Sequence, residues 1–266
     1  PWDQHCQRFV NGPHCFEDRS VGSLRCMGPD VEDSKDGLMD VQCFTVGMFS
    51  VNTYLISDPA TGASAIVDTG ETEELVHKLQ ALDPIPDIRM ILLTHTHLDH
   101  AGALSFIQAR WDVPTYMPRD DRPLFETLPS QGTMFGMPHL DRPCGRIDHE
   151  VVDGDSVQLG ETTLRFLATP GHTPGQGCWY DDTDVLVGDT LFHGSIGRTD
   201  FPLSDPSLMV ESLRRLTHMP AEMRVHSGHG PMTTIGEELK NNPFLGYIRR
   251  ERGIDGAPGF PWAPGT

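Results

Sequence analysis

The run Thr94-His95-Thr96-His97-Leu98-Asp99-His100-Ala101-Gly102 packs three imidazoles and one carboxylate into six residues. Before it, Ile88-Arg89-Met90-Ile91-Leu92-Leu93 reads as a buried strand. After it, Ala101-Gly102-Ala103-Leu104-Ser105-Phe106-Ile107 reads as the first turns of a helix. A strand end that feeds a helix is where α/β folds place their sites. A loop there can aim His95 and His97 one way and Asp99 and His100 another. Neutral imidazole and carboxylate suit zinc, iron and manganese. The alternative is a solvated polar turn with chance histidines, and four ligand-type residues packed so closely are hard to explain that way.

Working outward, residues 41–49, 52–57 and 63–68 read as three strands, with turns at Ser50-Val51 and at Asp58-Pro59-Ala60-Thr61-Gly62. Residues 71–82 follow as an amphipathic helix with Leu75, Val76, Leu79 and Leu82 on one face. Beyond the histidine motif and its helix, to about residue 110, come a short strand at 113–117 and a helix at 120–128. The Gly/Pro/Met-rich stretch 129–143 reads as a loop long enough to be a lid. Strands resume at 151–152, 156–159, 162–168, 176–180 and 184–187. A helix at 206–218, a short strand at 222–225 and a helix at 235–241 complete the pattern. Strands followed by helices, twice over, are compatible with an αββα sandwich, two sheets face to face with helices outside. The pattern alone leaves other α/β layouts open.

Three further strand-end loops each carry one ligand-type residue beside a glycine. His172 follows Gly171, Asp189 follows Gly188, and His229 lies between Gly228 and Gly230. Glycine permits the sharp backbone and close approach that placing a ligand needs. Each loop alone is weak, since polar residues are common in Gly/Pro turns.

The motif His-x-His-x-Asp-His at a strand end, with those three residues following in order, resembles the signature of the metallo-β-lactamase fold hydrolases over roughly residues 41–245. That resemblance implies the αββα sandwich of the metallo-β-lactamase type. It also implies two divalent metals, zinc first, with iron or manganese accepted by the same donors. His95, His97 and His172 would hold one, Asp99, His100 and His229 the other, and Asp189 would bridge both. Metals about 3.5–4 Å apart share a water acidified enough to yield the hydroxide that attacks an acyl carbon. Asp99 would also orient the nucleophile. Asp68 resembles the family's carboxylate that fixes an imidazole of the motif; its alternative is to cap the helix that starts near Glu71.

Asp189 stands where true β-lactamases of the family would carry cysteine, which points away from that branch. The stretch Gly188-Asp189-Thr190-Leu191-Phe192-His193-Gly194-Ser195-Ile196-Gly197-Arg198-Thr199-Asp200-Phe201-Pro202 is similar to the glyoxalase II-like thioesterases, especially the short bacterial ones. Thr233-Thr234-Ile235-Gly236-Glu237-Glu238 and Asn241-Asn242-Pro243-Phe244 resemble the same branch. The long C-terminal helical domain that holds glutathione in full-length glyoxalase II has no counterpart here. The resemblance implies hydrolysis of a thioester such as S-lactoylglutathione. The rival enzymatic readings are a persulfide dioxygenase, with one iron on His95, His172 and Asp189, and a lactonase. A fold relative that binds without metals is the non-enzymatic reading. Arg198 is the candidate substrate contact, because a guanidinium fits a carboxylate bidentately; the alternative is a salt bridge with Asp200 or Asp205.

Composition bounds the rest. The 266 residues suffice for a large core, and a formal net charge of -18 with only Lys35, Lys78 and Lys240 as lysines argues against nucleic-acid binding. The expected partner is a small-molecule thioester. The lack of an 18-residue apolar run argues against a membrane span, and oligomeric state is left open. The first 30 residues lack the succession of a signal peptide, and the six cysteines show no CxxC pair, so a reduced cytoplasmic protein is expected. Three segments are expected: a loosely ordered extension at 1–40, the main domain at 41–250 and a Pro/Gly-rich tail at 251–266. Within the extension, His5-Cys6 and His14-Cys15 offer nitrogen and sulfur donors, although an irregular tail with unrelated residues is the expected account of them.

Overall fold

The computed structural model describes residues 39–253. The expectations for the N-terminal extension, including His5-Cys6 and His14-Cys15, and for the tail beyond residue 253 lie outside that range.

Strands β1 (Asp40–Val46), β2 (Val51–Ser57) and β3 (Ala63–Val67) form an antiparallel meander. Helix α1 (Glu74–Gln80) carries the chain to β4 (Asp87–Leu92), which runs parallel to β3. Helices α2 (Leu98–Ala101) and α3 (Leu104–Arg110) lead to β5 (Thr115–Pro118), and α4 (Arg122–Glu126) and α5 (Leu128–Met134) lead to β6 (His149–Val151). Both strands add in parallel, giving a sheet in simple order from β1 to β6.

The second sheet starts with four antiparallel strands, β7 (Ser156–Leu159), β8 (Thr162–Ala168), β9 (Gly177–Tyr180) and β10 (Asp184–Gly188). A two-stranded ribbon, β11 (Leu191–Phe192) and β12 (Ser195–Ile196), and helix α6 (Pro206–Leu216) come next. Then β13 (Arg224–Ser227) pairs parallel with β10, and β14 (Thr233–Thr234) closes the sheet at its edge. Helices α7 (Ile235–Asn241) and α8 (Gly246–Glu251) complete the outer layer.

The alternation of side chains along the strands builds the layers. In β2, Val51 and Leu55 join the apolar cluster of α1 and α3, whereas Tyr54 and Ile56 join the cluster between the sheets. In β10, Val185 and Val187 join the cluster of α6, α7 and α8, and Leu186 faces the other sheet. Three apolar layers therefore separate four structural ones, and each fully buried Leu or Ile contributes about 1.5–3 kcal/mol. This is the αββα sandwich. At the end of the sandwich that holds the start of β3, the buried Asp58 accepts hydrogen bonds from Thr61 N (3.1 Å), Glu161 N (3.0 Å) and Thr162 Oγ1 (3.0 Å). It ties the β2–β3 turn of one sheet to the β7–β8 turn of the other.

Two expectations change. Residues 129–143 do not form a lid loop: α5 runs through Met134, and a 3-10 turn covers Pro138–Leu140. Pro129 lies in the first turn of α5, where a missing N–H costs nothing, and Leu128 and Leu140 are buried. The helix expected after the histidine motif is broken into α2 and α3. No helix among the described residues is long and apolar enough to cross a membrane.

Candidate metal centre

The ends of β3, β4, β8, β10 and β13 converge on one edge of the sandwich, and all seven ligand-type side chains singled out in the sequence meet there. His95 and His97 leave the end of β4, and Asp99 and His100 sit in α2. His172 comes from the β8–β9 loop, Asp189 from the residue after β10 and His229 from the loop after β13.

His95, His97 and His172 offer ring nitrogens that all lie within 4.8 Å of one another, and so do the donor atoms of Asp99, His100 and His229. Within these sets His97 Nδ1 stands 2.9 Å from His172 Nε2, and His229 Nε2 stands 3.2 Å from Asp99 Oδ2. The Asp189 carboxylate lies between the sets. Its Oδ1 is 3.3 Å from His100 Nε2, and its Oδ2 is 3.4 Å from His172 Nε2 and 3.8 Å from His229 Nε2. Such close placement requires small neighbours: a Cβ on Gly228 would come within 2.4 Å of Asp189 Oδ1 and 2.6 Å of His100 Cε1.

Hydrogen bonds decide which ring nitrogens face inward. A carbonyl can only accept, so His172 Nδ1 donates to Arg198 O at 2.8 Å and Nε2 carries its lone pair into the centre. His100 Nδ1 donates to Asp68 Oδ2 at 2.8 Å, which leaves Nε2 facing inward. The Thr94 hydroxyl donates to Asp68 Oδ2 at 2.7 Å and is therefore free to accept from His95 Nδ1 at 3.1 Å. One carboxylate thus orients two imidazoles. Asp68 has φ 58°, a left-handed conformation that costs a non-glycine residue energy and that this network holds in place. It does not cap α1, whose first turn has no side-chain cap.

The donor set fits a metal pair. His95 Nε2 is buried with no hydrogen-bond partner, and the equally buried His100 Nε2 and Asp189 Oδ1 have only each other, in an ion-pair contact of 3.3 Å, an expensive arrangement for a protein to keep without a cation. Burial, then the neighbouring rings of His100, His172 and His97, holds His95 well below the usual imidazole range. Burial and His172 push His97 down to about 3. Both rings are therefore neutral and able to donate lone pairs. Burial also acts against charge on His100, but Asp189, Asp99 and Asp68 together outweigh it and raise that ring well above its usual range. Burial would raise Asp189, and His100, His172 and His229 reverse this and hold it below the usual carboxylate range. Without a cation, a proton on His100 would balance the carboxylates. Two divalent cations would do so at the inward-facing atoms themselves.

Arg198 lies at the mouth rather than in the centre. Its exposed guanidinium pairs bidentately with Asp200, Nε to Oδ1 at 2.8 Å and Nη2 to Oδ2 at 2.9 Å, and lies over the Phe201 ring at 4.3 Å. Asp205, the other partner considered, caps α6 through Ser207 N and Leu208 N. Phe201 packs edge-on to His97 and His172, with ring centroids 5.5 and 6.0 Å away. Sequence reading did not single out Phe201, nor two buried polar side chains, Asn52 and Asp121, that hydrogen-bond the ligand-bearing loops. Asn52 lies inside an ordinary strand and Asp121 among ordinary charged residues, so neither carried a local signal.

Comparison with known proteins agrees with this geometry. The family model of the metallo-β-lactamase superfamily matches residues 46–229. The hydroxyacylglutathione hydrolase GloC of Haemophilus influenzae is 36% identical over 213 residues, covering 78% of this chain and 98% of its own. Among solved structures, the BLEG-1 B3 metallo-β-lactamase matches with TM-score 0.71 at 30% identity over 77% of this chain and 99% of its own. TTHA1623 in a di-iron-bound form matches with TM-score 0.68 at 35% identity over 77% and 100%. ETHE1 from Myxococcus xanthus matches with TM-score 0.63 at 25% identity over 77% and 83%. With its fold, its loop order and these relatives in agreement, the chain belongs to the metallo-β-lactamase superfamily and is an enzyme of the metallo-hydrolase type.

Proposed function

We propose that this protein hydrolyses a thioester, with a hydroxyacyl thioester of glutathione such as S-lactoylglutathione as the substrate to test first. The observation that carries the reading is the presence of two complete three-donor sets with Asp189 between them. The relationship to a hydroxyacylglutathione hydrolase at 36% identity supports the substrate class. His95, His97 and His172 would hold one metal, Asp99, His100 and His229 the other, and Asp189 both. Zinc suits these donors, and a relative in a di-iron-bound form supports iron equally. When bound, the metal pair supplies an acidified water as nucleophile and a Lewis acid for the acyl oxygen.

The chain's own groups do the rest. Asp99, one of the second set of donors, would also accept a hydrogen bond from the nucleophile and so orient it. Phe201, edge-on to His97 and His172, would wall that side of the centre. A thiolate leaves without a strong general acid, so this reaction asks for no further titratable group over the centre. Arg198 would take an anionic end of the substrate in competition with Asp200.

A persulfide dioxygenase with one iron on His95, His172 and Asp189 would leave His97, Asp99, His100 and His229 without a task, and this favours the hydrolase. The experiment is thioester cleavage followed by thiol release, run beside O2 uptake with glutathione persulfide and beside lactone and β-lactam hydrolysis. Thiol release faster than every other reaction is expected. Rapid O2 uptake without thiol release would sink the hydrolase reading.

A further inference from the structure

Asp121 and Asn52 are buried, lie on neither set of donors and each grip the backbone of ligand-bearing loops. Asp121 ends the 3-10 turn before α4. Its Oδ2 accepts from Thr96 N at 2.8 Å, from Thr96 Oγ1 at 3.3 Å and from Thr173 Oγ1 at 3.1 Å. Its Oδ1 accepts from Gly175 N at 2.6 Å. Thr96 lies between His95 and His97, and Thr173 follows His172. A carboxylate only accepts and has room for about four donors, so one side chain gathers donors from both loops that build the three-histidine set.

Asn52, in β2 of the first sheet, does the equivalent for the other set. Its backbone N donates to Gly228 O at 2.7 Å, and its Nδ2 donates to Ser227 O at 3.1 Å and to Gly230 O at 2.7 Å. Those three carbonyls flank His229. Thr45 Oγ1 donates to Asn52 Oδ1 at 2.9 Å and fixes which way the amide points. Each clamp also crosses between layers: Asp121 joins the end of β4 to the β8–β9 loop, and Asn52 joins β2 of the first sheet to the loop after β13 of the second.

We infer that Asp121 and Asn52 are positioning residues, each serving one half of the metal centre: Asp121 the three-histidine half and Asn52 the half completed by His229. The inference rests on the two-metal reading above. Groups that orient metal ligands typically carry about 10–100-fold in metal affinity. A generally stabilising residue would weaken both halves alike, or neither.

The test isolates the halves and reads metal affinity rather than turnover. Zinc is titrated against a chromophoric chelator in His229→Ala, which retains the three-histidine half, and in His97→Ala, which retains the other. Asp121→Asn keeps the volume but replaces one acceptor oxygen with a donor facing backbone N–H groups. It should lower zinc affinity about 10–100-fold in the His229→Ala background and about threefold or less in the His97→Ala background. Asn52→Ala should show the reverse pattern. Equal losses in both backgrounds, or none in either, would overturn the inference. Should a variant fail to fold, Thr173→Val removes a hydrogen bond to Asp121 and Thr45→Val the one that orients Asn52, and each should show the same pattern at smaller size. A parent protein that binds one zinc at saturation overturns the two-metal reading itself, and the pairing of clamps with halves falls with it.

Discussion

Asp68 shows how much one carboxylate decides at the scale of a residue. It accepts from Thr94 N, Thr94 Oγ1 and His100 Nδ1, and through the Thr94 hydroxyl it also sets His95. Arg198 shows the opposite division of labour. Its backbone carbonyl fixes His172, whereas its side chain points to Asp200 and Phe201. Alanine keeps the carbonyl and removes the guanidinium, with its contacts to Asp200 and Phe201. If Arg198 holds an anionic end of the substrate, Arg198→Ala should therefore raise KM while kcat stays within about twofold. The rise should be modest, about threefold to tenfold, because the guanidinium is exposed and already matched by Asp200. Steady-state kinetics on the thioester check this, and an unchanged KM would remove Arg198 from substrate binding.

At the scale of elements, turns that carry no chemistry hold the sheets in register. Burial alone would raise the Asp58 carboxyl, but hydrogen bonds from Thr61, Glu161 and Thr162 outweigh it and bring it down to about 2. A carboxyl with a depressed folded-state pKa stabilises the fold above its unfolded value, and that stability is lost as pH falls through the folded one. Asp58→Asn should cost about 1–3 kcal/mol at neutral pH, because it leaves donors from both sheets unmatched. It should also flatten the fall in stability between about pH 5 and about pH 2. Urea unfolding across that range checks both. A variant whose pH profile parallels the wild type would show that Asp58 is not the titrating clamp.

At the scale of the whole molecule, the candidate ligands come from both sheets. His95, His97, Asp99 and His100 follow β4 of the first sheet, while His172, Asp189 and His229 follow strands of the second. Metals bound there would cross-link the two halves of the sandwich and stabilise it by mass action, by about 4 kcal/mol at a thousandfold excess over Kd. Chelation should then lower Tm by about 10 °C, at about 2–4 °C per kcal/mol for a chain of this size. Calorimetry before and after chelation, with zinc restored, checks it. An unchanged Tm after proven metal loss would mean that the sandwich holds its ligands in place without help.

The residues of the centre were legible in the sequence because metal ligation demands particular side chains, and the turns that deliver them demand glycine beside them. His95, His97, Asp99 and His100 stood out for that reason; His172, Asp189 and His229, each weak alone, were picked out by the resemblance to the family, which also implied the sandwich where the strand and helix pattern left other layouts open. Proline and glycine misled at 129–143, because a proline in the first turn of a helix looks locally like one in a loop. What only the tertiary structure decided is which groups stand behind the ligands. Asp121 is 25 residues from Thr96 and 54 from Gly175, and Asn52 is 178 from Gly230. A hydrogen bond across such distances leaves no local pattern in the chain, because it depends on where two sheets pack and not on which residues are neighbours. The same holds for Arg198, whose contribution to His172 is a backbone carbonyl that every residue carries.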